Sequence, residues 1–239
     1  MLLYNNKIVI TGGTGRFGAE LKKIKNKYKL IFPTKSQLDI LKLNSIKKYL
    51  KFHKPKYLIH LAGLSRPMKL HEKNINKSID LNIVGTANIT KVCSNFKIKL
   101  IYFSTSYIYP GTKGNYKETD CLLPKNNYSW SKLGGESSVQ MYKNSLILRV
   151  CMTEKPFVHK KAFSDFNTNF IFHEEVAKMI FKLINKRGVI NVGGKIQTVY
   201  NFVKTFNPKI KKNYAKKILG PNYPLNPSMN INKLKKILK

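Results

Sequence analysis

Tyr128 and Lys132 stand four residues apart in NNYSWSKLGGE (126–136). On a helix, residues at that spacing share one face. A phenol beside an ammonium is a candidate catalytic acid with its electrostatic tuner. A free phenol titrates near about 10, too high for easy proton exchange at neutral pH, and a nearby positive charge lowers that value. A surface tyrosine beside one more lysine gives the same spacing, and this chain has lysine in excess: four arginines leave 41 lysines among its 45 basic residues. Position in the fold must decide between the two.

A second chemical signal is TGGTGRFG (11–18), directly after the first apolar run. In a doubly wound sheet this turn receives a dinucleotide pyrophosphate. Gly12 permits the tight turn, Gly15 lets the backbone approach phosphate, and Gly18 lets helix and strand pack closely. Thr14, Arg16 and Phe17 complete the loop, and the amides at the helix start face the anion. Other cofactor candidates fall at the same carboxyl edge of the strands. They are Asp39 and Ile40 of QLDI (37–40) for the adenine, and Leu61, Ala62 and Gly63 of HLAG (60–63) for close contact. Ser104 and Val150, at the ends of the fourth and fifth strands, join them. The second strand lacks a terminal acid for ribose hydroxyls and leads to Lys35. With Arg16, that lysine favours a 2′-phosphate, hence NADPH over NADH. Arg66 and Arg149 lie near the same edge, where a diphosphate contact and a structural role both remain open.

These residues need a scaffold. KIVI (7–10), YKLIF (28–32), KYLIHLA (56–62), IKLIYFS (98–104) and SLILRV (145–150) are short, apolar and rich in branched or aromatic residues, as buried strands are. Helical patterns fill the gaps at 17–27, 43–53, 72–95 and 127–143, followed by a helix at 173–186, a strand at 188–192, a helix at 197–206 and a last helix at 231–238. Alternation of this kind predicts an α/β fold with a parallel sheet covered on both faces.

Composition sets outer bounds. The chain has 239 residues, 42% hydrophobic, enough for one sizeable core and a small appended lobe. No basic segment with an apolar run and cleavage site precedes the first strand, and no run of about 18 apolar residues occurs, so neither a secretory signal nor a membrane span is expected. Cys93, Cys121 and Cys151 show no metal-ligand spacing and no disulfide framework, which suits a reducing cytosol and predicts no metal site. The net charge of +34 invites a nucleic-acid reading. The lysines are scattered, however, and arginine, whose fork reads nucleic acid, is depleted. With Asn and Ile also plentiful, the charge reads as composition bias, and nucleic-acid binding is not expected.

The motifs taken in order give a sharper reading. TGGTGRFG, the LDI after strand two, LAG, DLNIVGTANI (80–89), STSYIY, YSWSKLGGE, LILR (146–149), FIFHEEVAK (170–178), GVINVGG (188–194) and PLNPSMNINKLKK (224–236) span nearly the whole chain. This series resembles the extended short-chain dehydrogenase/reductases, and within them the dTDP-4-dehydrorhamnose reductase branch of nucleotide-sugar enzymes. The resemblance implies a Rossmann-like doubly wound sheet formed by residues 1–150 and 171–206. It also implies a shortened C-terminal substrate-binding lobe from 151–170 and 207–239. It implies that Tyr128 donates a proton to a carbonyl oxygen as hydride arrives from a nicotinamide, that Lys132 tunes Tyr128 and binds the ribose, and that Thr105 orients the carbonyl. The substrate implied is a nucleotide-diphosphate sugar.

Departures from the family narrow the chemistry. Sugar-nucleotide 4,6-dehydratases carry an acid pair after the threonine, where this chain has Ser106 and Tyr107; GDP-fucose synthase carries a cysteine at the Tyr107 position. The pattern fits ketone reduction or simple 4-epimerisation. The stretch from Arg149 to Phe170 is short, and Tyr223-Pro224 replaces a common Arg-Pro. Arg66, Ser106, Tyr107, Lys160 and Lys161 are the candidate substrate contacts, with a partner subunit of a homodimer as the alternative source of grip. Three functions remain: an NAD(P)H-dependent 4-keto reductase, a 4-epimerase with tightly bound NAD, and a non-catalytic subunit, since the regulatory subunit of eukaryotic S-adenosylmethionine synthetase resembles the same branch.

Overall fold

Apolar, branched segments at the expected places form strands because their side chains pack on both faces of a pleated surface. The computed structural model describes residues 6–239. In chain order the elements are β1 (Lys7–Thr11), α1 (Arg16–Lys23), β2 (Lys29–Ile31), α2 (Leu43–His53), β3 (Tyr57–His60), α3 (Lys69–Lys73), α4 (Ile75–Ile79), a π-helical turn (Asp80–Val84) and α5 (Gly85–Asn95). There follow β4 (Lys99–Thr105), a 3-10 turn (Ser106–Ile108), α6 (Asn127–Gln140), β5 (Ser145–Val150), β6 (Met152–Thr153), β7 (Lys161–Phe163), β8 (Asn167–Thr168) and β9 (Ile171–Phe172). The chain closes with α7 (His173–Leu183), β10 (Gly188–Val192), β11 (Gln197–Thr198), α8 (Val199–Lys204), β12 (Lys211–Asn213), α9 (Ala215–Leu219) and α10 (Asn232–Leu238).

Six strands build the central sheet in the order β10-β5-β4-β3-β1-β2, and every pairing is parallel. The chain runs outward from β1 to β2, crosses back over β1 to β3, and then runs the other way. The reversal opens a crevice at the carboxyl ends of β1 and β3, where doubly wound sheets bind ligands. Alternation along β1 assigns its residues to two layers. Ile8 and Ile10 pack with Phe17 and Leu21 of α1 and with Val176 and Ile180 of α7. Val9 packs on the other face with Leu50 of α2, Ile89 of α5 and Val139 of α6. A smaller cluster holds Phe166 with Phe202 and Val203 of α8 and with Ile210 and Ala215.

The helix expected over 72–95 is not continuous. Asn74 leaves helical geometry at φ −139° and caps α4, its side chain accepting from the Lys77 amide. The π-helical turn then shifts the register ahead of α5, a device common at functional sites. The shift delivers Asn82 to the loop after β3, where its Oδ1 accepts from the Leu64 amide at 2.7 Å and its Nδ2 donates to the Leu64 carbonyl at 2.9 Å. Periodicity ran through this break because both sides of it are amphipathic. The helices expected over 17–27, 127–143 and 173–186 stop earlier, at Lys23, Gln140 and Leu183. In place of the helix over 197–206, Gln197 and Thr198 pair with β8 and only Val199–Lys204 is helical. The two-residue strands and the five-residue α9 carried no sequence signal, since segments this short cannot display a period.

Candidate active site

The glycine turn is shaped by the strand next to it. Gly12 lies at φ +69°, and a Cβ there would stand 2.5 Å from the Ala62 amide nitrogen, so only glycine lets this turn press against the end of β3. Thr11 fixes the junction. Its carbonyl accepts from the Leu61 amide at 3.1 Å, and its Oγ1 meets His60 Nδ1 at 2.7 Å. His60 Nε2 meets Thr86 Oγ1 at 3.2 Å. Burial holds this imidazole neutral, pulling its pKa down to about 3. At the start of α1, Gly15 is the N-cap, with no side-chain cap and no acid in the first turn. Those amides point at the crevice with a partial positive charge. The Ser104 hydroxyl, buried at the end of β4, has no hydrogen-bond partner among the described residues. An uncapped helix start and an unpaired hydroxyl at one strand edge fit a dinucleotide.

Tyr128 and Lys132 sit on the first two turns of α6. A capping box starts the helix: Asn126 Oδ1 accepts from the Ser129 amide at 2.9 Å, and Ser129 Oγ accepts from the Asn126 amide at 3.3 Å. The helix is seated by Ser131, whose Oγ donates to the Tyr128 carbonyl at 2.8 Å and accepts from Asn82 Nδ2 at 2.8 Å. Tyr128 is half-buried, and burial raises its pKa. A hydrogen bond with Thr105 and the positive charge of Arg66 pull the other way. Thr105 is itself fixed as the cap of the 3-10 turn, its Oγ1 accepting from the Tyr107 amide at 3.3 Å. The Lys132 ammonium lies over the Tyr102 ring, 4.2 Å from its centroid. Burial lowers its pKa to about 7, opposed by Glu136 one turn further on. Arg66 is thus one positive charge that lowers the pKa of Tyr128, while burial is what lowers the pKa of Lys132.

The remaining candidates divide. Arg16 and Arg66 converge on Glu154, at 3.2 Å and 2.6 Å. Ile40 is buried beside Gly85, Asp39 Oδ1 accepts from the Leu41 amide at 3.0 Å, and Lys35 is exposed in the turn after β2. Phe17 packs on Phe103, with ring centroids 4.9 Å apart. Ser106 and Val150 are buried. Tyr107 faces Tyr128 edge-on at 6.5 Å, and burial raises its pKa. Tyr107, Lys125 and Tyr223 line one cleft beside this edge, whereas Lys160 and Lys161 are exposed at β7 and do not line it. Arg149 is buried and structural: Nε and Nη2 donate to Glu136 Oε1 at 3.1 and 2.7 Å, and Nη1 donates to the Tyr109 oxygen at 2.7 Å and the Glu118 carbonyl at 3.0 Å.

Other residues of the site were not singled out in the sequence. Glu154 follows β6, and His173, inside the FIFHEEVAK motif but given no role there, lies with its ring 5.9 Å from Phe17. His71 packs edge-on against Tyr128 at 5.1 Å while Nδ1 meets Ser78 Oγ at 2.7 Å. Scarcity was the one available signal for Glu154, since the chain has only 11 acidic residues. Among the described residues, no group of three or more His, Cys, Asp or Glu side chains is placed to hold a metal ion, and no helix is long and apolar enough to cross a membrane.

Two kinds of curated protein are similar to this chain. The methionine adenosyltransferase 2 subunit beta of Xenopus laevis is 31% identical over 156 residues, covering 61% of this chain and 46% of that protein. A dTDP-4-dehydrorhamnose reductase of Aggregatibacter actinomycetemcomitans is 25% identical over 191 residues, covering 78% of this chain and 60% of that protein. The chain spans about half the length of the curated relatives it matches. The crystal structure of the Bacillus anthracis dTDP-4-dehydrorhamnose reductase in complex with NADP shares the fold, with a TM-score of 0.85 at 20% identity over 96% of this chain and 92% of that one. The family model for the RmlD substrate binding domain matches residues 6–171, more than half of the chain. Motif order, the parallel sheet with its switch point and this match agree, and the chain belongs to the RmlD substrate binding domain family, the dTDP-4-dehydrorhamnose reductase-like branch of the extended short-chain dehydrogenase/reductases.

Proposed function

We propose that this protein reduces a ketone on a nucleotide-diphosphate sugar, with NADPH as its cofactor. The observation that carries this reading is Tyr128 brought beside Thr105, whose hydroxyl lowers its pKa, at the strand edge that also holds the glycine turn. The NADP in the Bacillus anthracis relative supports the choice of cofactor, as do Arg16 and Lys35 here. In this reading residues 1–150 with 171–206 bind the dinucleotide, and 151–170 with 207–239 form a reduced substrate lobe. The bound nicotinamide supplies the hydride. The turn from Gly12 to Gly18, Leu61 to Gly63, Ser104 and Val150 hold the dinucleotide. Thr105 orients the substrate carbonyl. Tyr128 gives its proton to that oxygen, and the positive charge of Arg66 eases the loss. Lys132 holds the ribose and lends charge to the same corner.

Oxidation of NADPH against a panel of 4-keto nucleotide sugars tests the reading. Tyr128→Phe is expected to lower turnover by roughly a hundredfold or more, the scale of general acid catalysis. Equal turnover in the variant would remove Tyr128 from its role. NAD that copurifies with the protein, with no NADPH consumed, indicates a 4-epimerase. A non-catalytic subunit is the second reading, favoured by the higher identity of the methionine adenosyltransferase relative. It predicts cofactor binding without turnover of any sugar.

A further inference from the structure

Two of the chain's four arginines meet at one carboxylate. Arg16 comes from the glycine turn, Arg66 from the loop after β3, and Glu154 from the segment after β6. Both Nη1 atoms donate to Glu154 Oε1, Arg66 at 2.6 Å and Arg16 at 3.4 Å, and Arg16 Nη1 also lies 3.2 Å from Oε2. Two guanidiniums that converge on one carboxylate can converge equally on a phosphoryl group, because both are anions whose clustered oxygens accept charge-assisted hydrogen bonds. The corner borders the site, since the charge of Arg66 acts on Tyr128 and Arg16 opens α1. His173 faces the same corner from α7, where Glu154, Arg16, Arg66 and Glu20 all act on it.

We propose that Arg16 and Arg66 form a grip for a diphosphate, and that Glu154 is an internal competitor for it. The proposal rests on reading the crevice as a dinucleotide and nucleotide-sugar site. It adds the residues that select a diphosphate over a singly charged group. The arginine side chains are 51% and 42% exposed, against 15% for Glu154. Solvent therefore keeps each pair weak and exchangeable. A diphosphate carries more charge than one carboxylate and takes both guanidiniums over; a monoanion gains too little to displace Glu154. Two sources share this chemistry, the pyrophosphate of the dinucleotide and the diphosphate of the sugar nucleotide.

Calorimetric titration of the full chain with NADP+ and, separately, with dTDP distinguishes them. Glu154→Gln keeps the shape and removes the competing charge, and should bind the gripped ligand about fivefold more tightly, the scale of a half-exposed ion pair. Tightening in only the NADP+ arm assigns the grip to the dinucleotide; tightening in only the dTDP arm assigns it to the sugar nucleotide. Arg66→Lys keeps the charge but gives up the guanidinium's planar array of donors, and should weaken the same arm several-fold. It should also shrink the gain from Glu154→Gln in the double variant. If Glu154→Gln leaves both affinities unchanged or weakens them while Arg66→Lys has no effect, Glu154 is a brace and the grip is overturned. No turnover is needed, so Tyr128→Phe should respond to Glu154→Gln as the natural protein does. A natural protein that binds neither probe would instead remove the reading of the crevice itself, and the grip with it.

Discussion

Lys132 is held where an ammonium is poorly solvated, over the Tyr102 ring, and its charge helps keep His60 neutral. Its proton is held less firmly than those of the surface lysines, with a pKa of about 7, and Glu136 opposes the loss. The sign is that of a depressed base: the charged form prevails below about 7 and is lost as pH rises through it. Lysine-selective labelling across a pH series, read by mass spectrometry, should give Lys132 a reactivity midpoint near 7, when exposed lysines remain protonated to about 10. Glu136→Gln keeps an acceptor for Arg149 and removes the charge, and should move that midpoint lower. A midpoint shared with the bulk lysines would contradict this placement. Tyr128 and Lys132 were both legible in the sequence. Arg66 was legible as a residue of the same edge, but not its charge on Tyr128, because it is distant in the chain and only the fold brings the two together.

At the scale of elements, α6 is seated by closeness. A Cβ on Gly135 would stand 2.3 Å from the Asn82 carbonyl oxygen and 2.8 Å from the Tyr102 hydroxyl. The π-helical turn that carries Asn82 and the helix that carries the site residues therefore share a surface with no room for a methyl group. Gly135→Ala should cost about 1–3 kcal/mol, as overpacking does, read as a lower denaturant midpoint at unchanged slope. An unchanged midpoint would mean that the turn yields. The strands, the outer helices and the glycine turn were readable because their periods run over several residues. The breaks at Asn74 and at the π-helical turn were not, because apolar spacing continued through them. Nor were the paired short strands, which owe their existence to partners far along the chain, as β8 does to β11.

The whole molecule responds to acid through its imidazoles. His53, His60, His71 and His173 all have lowered pKa values, each chiefly by burial. A depressed base takes up its proton more readily when unfolded. Stability is therefore full above the ordinary value of about 6.5 and falls as pH drops below it, for His60 toward about 3. His60 alone should account for a loss on the order of a few kcal/mol over that window. Melting temperatures measured from pH 7 to pH 4 should fall, and His60→Asn should flatten the slope; an equally steep fall would place the loss elsewhere. Protonation also adds to a charge that already stands at +34, so repulsion acts in the same direction.

The buried fork of Arg149 sets a boundary on that composition. Its guanidinium makes four hydrogen bonds to three residues from separate parts of the chain. Lysine has one nitrogen and three protons on a flexible stem, and cannot reach acceptors arrayed around separate edges of one plane. Exposed surface charges tolerate an exchange of arginine for lysine far better than a buried fork does. At residue 149 the same single exchange would strand the Glu136 carboxylate and loosen the helix that presents Tyr128.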